Sequence, residues 1–127
     1  MLIQLANLHK LCFPQKSWSA DEFAKLKNSG AEIIASENGF IVWRAAADEC
    51  EIITIGTRPD ARGQGIAGAM LALMERDLPR PIKIFLEVAA DNAAARALYE
   101  KNGYRNIGIR SKYYDGKTDA VVMEKQL

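Results

Sequence analysis

A chain of 127 residues is the size of one domain and long enough to bury a core of its own, so a single domain over residues 1–127 is expected. Hydrophobic residues make up 49% and charged residues 26%, ordinary for a globular protein, and a net charge of +1 argues against a large nucleic-acid footprint. The apolar runs fall well short of the ~20 residues that span a bilayer, which excludes a helical membrane anchor within this sequence.

At the N-terminus, Met1-Leu2-Ile3-Gln4-Leu5 lacks the basic segment and small-residue cleavage site of a secretory signal, and Cys12 and Cys50 read most simply as reduced thiols of a cytoplasmic protein. Leu5, Leu8 and Cys12 share one face of a short first helix stopped by Pro14. Ser19-Ala20-Asp21-Glu22 has the form of a capping box, Trp18 and Phe23 occupy the two positions of a hydrophobic staple, and Gly30 is a natural stop. Residues 31–35 and 40–44 read as strands joined around Asn38-Gly39, a dipeptide typical of hairpins. A third strand covers the β-branched run Glu51-Ile52-Ile53-Thr54-Ile55.

The most informative segment follows. Arg62-Gly63-Gln64-Gly65-Ile66-Ala67 lies between that strand and a helix whose Ile66, Met70, Leu73, Met74 and Leu78 recur at helical spacing. Glycines at such a junction let backbone N–H groups approach a ligand, and the helix start adds partial positive charge, so a phosphate or pyrophosphate is the expected guest. A P-loop is excluded, because Ile66, Ala67 and Gly68 stand where its lysine and hydroxyl would. The dinucleotide fingerprint is excluded by its different glycine spacing and by the shortness of the chain.

Residues 82–88 form a clear strand, with Ile82, Ile84, Leu86 and Val88 on one face and Lys83, Phe85 and Glu87 on the other. Asp91-Asn92 opens a helix that closes at Asn102-Gly103. Residues 104–110 and 120–124 supply the last two strands, turning at Asp115-Gly116. The order of elements predicts an α/β fold with a mixed, mostly antiparallel sheet of about six to seven strands and about four helices. Cys12 and Cys50 are too few for a disulfide framework, and with His9 the lone histidine no metal site is expected.

The combination resembles the GNAT superfamily of acyl-CoA-dependent N-acyltransferases. Arg62-Gly63-Gln64-Gly65-Ile66-Ala67 matches its acetyl-CoA loop, Arg/Gln-x-x-Gly-x-Gly/Ala, with Ala67 in place of the commoner second glycine. Leu86-Glu87-Val88 with the stretch from Asn92 to Tyr104 looks like its second half-site. Within the superfamily the chain is most similar to the bacterial ribosomal-protein-alanine N-acetyltransferases. The Phe13…Trp18-Ser19…Phe23 pattern, the Leu-Glu-Val triplet and the tail Arg110…Tyr113-Tyr114…Gly116…Asp119-Ala120…Met123 carry that narrower likeness. Thr57-Arg58-Pro59 departs from the usual Val-Asp-Pro.

The resemblance implies a GNAT fold, acetyl-CoA as co-substrate, and a protein N-terminus, such as that of a ribosomal protein, as acceptor. A monomer or weak dimer is expected. Backbone N–H groups of Gly63, Gln64, Gly65, Ile66, Ala67 and Gly68 should cradle the pyrophosphate, with Arg62 either assisting or standing as a solvated loop charge. Backbone of Ile55, Gly56 and Thr57 should pair with the pantetheine arm as an added strand would. Asn92 either caps its helix or bonds the pantetheine amide. Glu87 is the candidate general base, or an outward-facing glutamate alternating with buried aliphatics, with Lys83 on the same face; Tyr99 is the candidate general acid, or a core tyrosine beside Leu98. Tyr113 and Tyr114 either line the peptide channel or are a paired aromatic packing on an edge strand. Two other outcomes stay open: a small amine or lysine as acceptor, and a non-catalytic acyl-CoA-binding module.

Overall fold

Local signals explain most of the element boundaries. In the computed structural model, which describes every residue except Asp115 and the side chains of Tyr113 and Tyr114, the chain runs α1 (Leu2–Cys12), α2 (Ala20–Asn28), β1 (Glu32–Ala35), β2 (Gly39–Ala46), β3 (Glu49–Thr57), a 3-10 turn (Pro59–Ala61), α3 (Ile66–Asp77), β4 (Lys83–Ala89), α4 (Ala93–Lys101), β5 (Arg105–Tyr114) and β6 (Thr118–Gln126). The strands form one six-stranded sheet in the order β1-β2-β3-β4-β6-β5. The β1–β2, β4–β6 and β5–β6 ladders are antiparallel, and β3–β4 is parallel. This is the mixed α/β architecture that the order of elements predicts. No helix among the described residues is long and apolar enough to cross a membrane.

The residues group into two compact units, Met1–Arg44 with Ile53–Asp77, and Ala45–Ile52 with Leu78–Leu127. In the first, Leu5 and Leu8 of α1, Phe23 of α2, Ala31, and Phe40 and Val42 of β2 form a buried cluster. The capping box at α2 is present: the Ser19 hydroxyl accepts from the Glu22 N–H, and the Glu22 side chain returns to the Ser19 N–H. Such a cap stabilises a helix by about 1 kcal/mol. Trp18 and Phe23 meet at 5.5 Å between ring centroids, as a staple requires.

His9 lies inside this cluster at 2% exposure. Its ring stacks on Trp18 at 4.8 Å and meets the Phe23 edge at 5.3 Å, and its Nδ1 accepts the Trp18 N–H at 3.1 Å. Burial lowers its pKa, with Glu22 opposing, so the imidazole is held neutral as an acceptor. His9 is therefore a satisfied core residue.

The β1–β2 connection differs from the sequence expectation in its geometry. Ala35 pairs with Phe40, and the Ser36 N–H donates to the Gly39 carbonyl at 2.8 Å. Neither Asn38 nor Gly39 takes the positive φ that a two-residue Asn-Gly turn needs. Gly39 is required for space: a Cβ there would come within 2.7 Å of Ile66 Cγ2 and 3.2 Å of the Gly56 carbonyl oxygen. The buried face of α3 is likewise rotated from the expected one, centring on Met70, Leu71 and Met74 while Leu73 is half-buried.

In the second unit β4 alternates as its sequence predicts, with Ile84, Leu86 and Val88 buried and Lys83, Phe85 and Glu87 half-buried. Its ladder with β6 runs from Lys83↔Gln126 to Ala89↔Ala120. The parallel ladder with β3 covers Glu49–Glu51 against Lys83–Phe85. Asn92 caps α4, its Oδ1 accepting the Ala95 N–H at 3.2 Å.

Gly56 is the tightest point of the first unit. A Cβ there would stand 2.6 Å from Phe40 Cζ and 3.2 Å from Cys12 Sγ, and Phe40 is fully buried. Gly56→Ala is expected to destabilise the protein by about 1–3 kcal/mol through overpacking, measurable as a lower urea midpoint with unchanged slope. A midpoint equal to that of the unsubstituted protein would contradict this packing.

Candidate active site

The loop from Arg62 to Gly68 is built to present amides. Gly63 and Gly65 have φ of +81° and +79°, and a Cβ on either would meet nothing within 4 Å. They are thus required by conformation, and their outer side is open. Arg62, Gly63, Gln64 and Gly65 are exposed, and Ile66, Ala67 and Gly68 half-buried. The first bond of α3 joins the Ala69 N–H to the Gly65 carbonyl at 3.0 Å. The N–H groups of Ile66, Ala67 and Gly68 therefore have no acceptor four residues back within the helix. Three amides stand at the positive end of a twelve-residue helix, an arrangement that suits an anion by charge and by donors. A diphosphate fits this cradle by charge and by donor set.

Two side chains brace the base of this loop. Arg62 Nε and Cys12 Sγ both donate to the Thr57 carbonyl oxygen, each at 3.2 Å. Burial pushes the Cys12 thiol above its ordinary pKa, opposed by Arg62, so the sulfur keeps the proton it donates. Of the Ile55–Thr57 backbone expected to meet the pantetheine arm, the Thr57 carbonyl already has these two donors. Ile55 and Gly56 lie half-buried beyond Glu51, where the β3–β4 ladder ends. The Arg58 N–H donates to the Asn38 carbonyl at 2.7 Å, which ties the loop to the β1–β2 turn. A groove of about 650 Å³ lies beside that turn, lined by Leu5, Leu8, Leu11, Ser36, Glu37 and Arg58. The residue pattern gave none of these residues a place in a site.

In the second unit, Glu87 sits on the charged face of β4, 28% exposed along its side chain. Its Oε1 lies 3.3 Å from Arg110 Nε on β5. A pair with an arginine 57% exposed contributes at most about 1 kcal/mol to stability. Lys83, on the same face of β4, lies 3.8 Å from Glu124, which also holds Arg105 at 2.8 Å. Tyr99 on α4 is 6% exposed, its ring 6.0 Å from that of Tyr104. Tyr99 is thus a core residue by burial, and its phenol is what a catalytic role would use. Burial raises the Cys50 thiol to about 12, so this cysteine is inert at neutral pH. The side chains of Tyr113 and Tyr114 lie outside the described residues.

The residue pattern placed Arg110 in the tail but did not point to it as the partner of Glu87, which it meets across β6 by the register of the sheet. Nor did it point to Cys12 as a donor; its place on the buried face of the first helix was the available signal.

Comparison with known proteins places the chain in a family. The acetyltransferase (GNAT) family matches residues 3–104. The chain is 35% identical over 118 residues to the ribosomal protein bS18-alanine N-acetyltransferase of Escherichia coli (strain K12), covering 84% of this chain and 78% of that protein. It superposes on the crystal structure of the ribosomal-protein-S18-alanine N-acetyltransferase from Escherichia coli with a TM-score of 0.86 and 29% identity, over 98% of this chain and 86% of that one. An aminoglycoside 6'-N-acetyltransferase complexed with coenzyme A shares the fold at a TM-score of 0.83 and 17% identity, over 98% of this chain and 89% of that one.

The course of this loop depends on the left-handed φ of Gly65. Gly65→Ala is expected to cut the thermal stabilisation given by saturating acetyl-CoA by at least half, because a side chain disfavours that conformation. An unchanged shift in melting temperature would remove Gly65 from the cradle.

Proposed function

The chain belongs to the acetyltransferase (GNAT) family and is an acetyl-CoA-dependent N-acyltransferase, and we propose that its acceptor is the α-amino group of a protein, the N-terminal alanine of a small-subunit ribosomal protein. The observation that carries this reading is the 35% identity, over 84% of the chain, to a relative that acts on the alanine of ribosomal protein bS18. Physical chemistry favours the same acceptor over lysine. At pH 7 about one α-amino group in ten is neutral, against about one lysine in 2,500, so an N-terminus demands far less of the base. Two unpaired thiols fit a reducing cytoplasm as the setting.

Acetyl-CoA supplies the acetyl group as a thioester. In our reading the amides of Gly63–Gly68 hold its diphosphate, Ile55 and Gly56 pair with its arm, and a backbone N–H near Thr57 polarises the thioester carbonyl. Glu87 takes one proton from the acceptor ammonium. The freed nitrogen bonds to the carbonyl carbon as the carbon–sulfur bond breaks, and Tyr99 gives its phenolic proton to the departing sulfur. A second proton leaves nitrogen as the amide forms and restores the phenol; the proton on Glu87 passes to solvent. Asn92 serves here as the cap that fixes α4, and so Tyr99, in place.

Release of free thiol with peptides that vary in their first residue tests the acceptor. A peptide starting with alanine should turn over at least about tenfold faster than lysine peptides with blocked N-termini or than polyamines. Equal or faster turnover of the latter would overturn the proposal.

Single substitutions test the chemistry. Glu87→Gln should lower kcat about 10²–10⁴-fold near neutral pH and less at high pH, where the amine deprotonates unaided. Tyr99→Phe should slow turnover with the KM for acetyl-CoA within about twofold. A pH-independent loss in the first variant, or a large rise in KM in the second, would remove those roles.

A further inference from the structure

We propose that Arg110 is a positioning residue for Glu87, holding one carboxylate oxygen so that the other faces the acceptor amine. The inference rests on the reading of Glu87 as the base. Arg110 stands on β5 and Glu87 on β4, with β6 between them. The guanidinium must therefore cross a whole strand, about 10 Å of sheet, to reach its partner.

The register shows how it does so. Ala89, Ala120 and Arg110 form one row across the sheet, and Glu87, Val122 and Gly108 the next. Apart from Val122, small residues floor both rows. The Arg110 stem has room to lie over Ala120, and its Nε comes to 3.3 Å from Glu87 Oε1. A register slip marks β5 between Asn106 and Gly108, and this slip brings Arg110 into the row beside that of Glu87.

Three other charges described on this face, Lys83, Glu124 and Arg105, engage one another. Alternation places Lys83 and Phe85 with Glu87 on β4, and Glu124 and Val122 opposite them on β6. Glu124 draws Lys83 to 3.8 Å and Arg105, on β5, to 2.8 Å. Glu87 is thus set apart from that trio and faces Arg110. The pair is too exposed to add much to stability, so its consequence lies in orientation. A glutamate has three rotatable side-chain bonds, and a contact at Oε1 restricts them while leaving Oε2 to accept a proton. Fixing a base in this way is worth much in rate, since misplacement by about 1 Å can cost 10²-fold.

A double-mutant cycle with the full chain, acetyl-CoA and an alanine-initiated peptide tests the inference. Arg110→Gln should lower kcat between about 10- and 100-fold, with the KM for acetyl-CoA within about twofold. Arg110→Lys should recover part of that loss. In the Glu87→Gln background, Arg110→Gln should change kcat by less than about twofold, because the group it positions is gone. Arg110→Met, which keeps the stem over Ala120, carries the same test should Arg110→Gln fail to fold.

An equal loss in both backgrounds, or full activity of Arg110→Gln beside an impaired Glu87→Gln, would overturn the positioning role and leave the base assignment standing. Full activity of Glu87→Gln itself would remove both.

Discussion

One carbonyl oxygen anchors the first unit. Thr57 closes β3, and its oxygen accepts from the Cys12 thiol and from Arg62 Nε, both at 3.2 Å. The last residue of α1, the end of a strand and the residue that opens the glycine loop are thereby fixed to one point. The surroundings permit this only because Gly56 has no side chain: Phe40 and Cys12 fill the space where one would be. Gly39 serves a matching purpose on the other side, letting the β1–β2 turn press against Ile66 at the head of α3. The amides that start α3 are in this way held by packing as well as by their own loop. An anion site made of backbone groups needs that rigidity, because it has no side chain to adjust.

The second unit gathers charge at two places on one sheet face. Lys83 shares its strand and face with Glu87 but stands four residues, about 13 Å, along the strand. Glu124 draws both Lys83 and Arg105 to itself at that end of β4. At 8% exposure a carboxylate without partners would be costly, and the two cations compensate it. Glu87 is left with an arginine that reaches it from two strands away.

How much of this could be read from residues depends on the range of the forces involved. The capping box at Ser19, the Asn92 cap, the alternation of β4 and the glycine loop all rest on neighbours within a few positions, and all were legible. The turn at Asn38-Gly39 was legible as a turn but not in its type, because Gly39 answers to Ile66 and Gly56, which are distant in sequence. The buried face of α3 shifted toward Leu71 for a similar reason: the packing partners choose the face within a helix that is apolar on more than one side. Arg62 read as an anion ligand or a free loop charge, and the bond of its Nε to the Thr57 carbonyl was not legible. The Glu87–Arg110 pair was invisible, since it depends on strand order and on the slip in β5. Local chemistry named the family; tertiary register decided which side chains meet.

The central claim is that coenzyme A docks against the amides opening α3. Backbone amide chemical shifts of the labelled protein, recorded during titration with acetyl-CoA, test it directly. The account predicts the largest changes at Gly63–Gly68, with lesser ones at Ile55 and Gly56. Saturation without change at Gly63–Gly68, or changes confined to other segments, would contradict it.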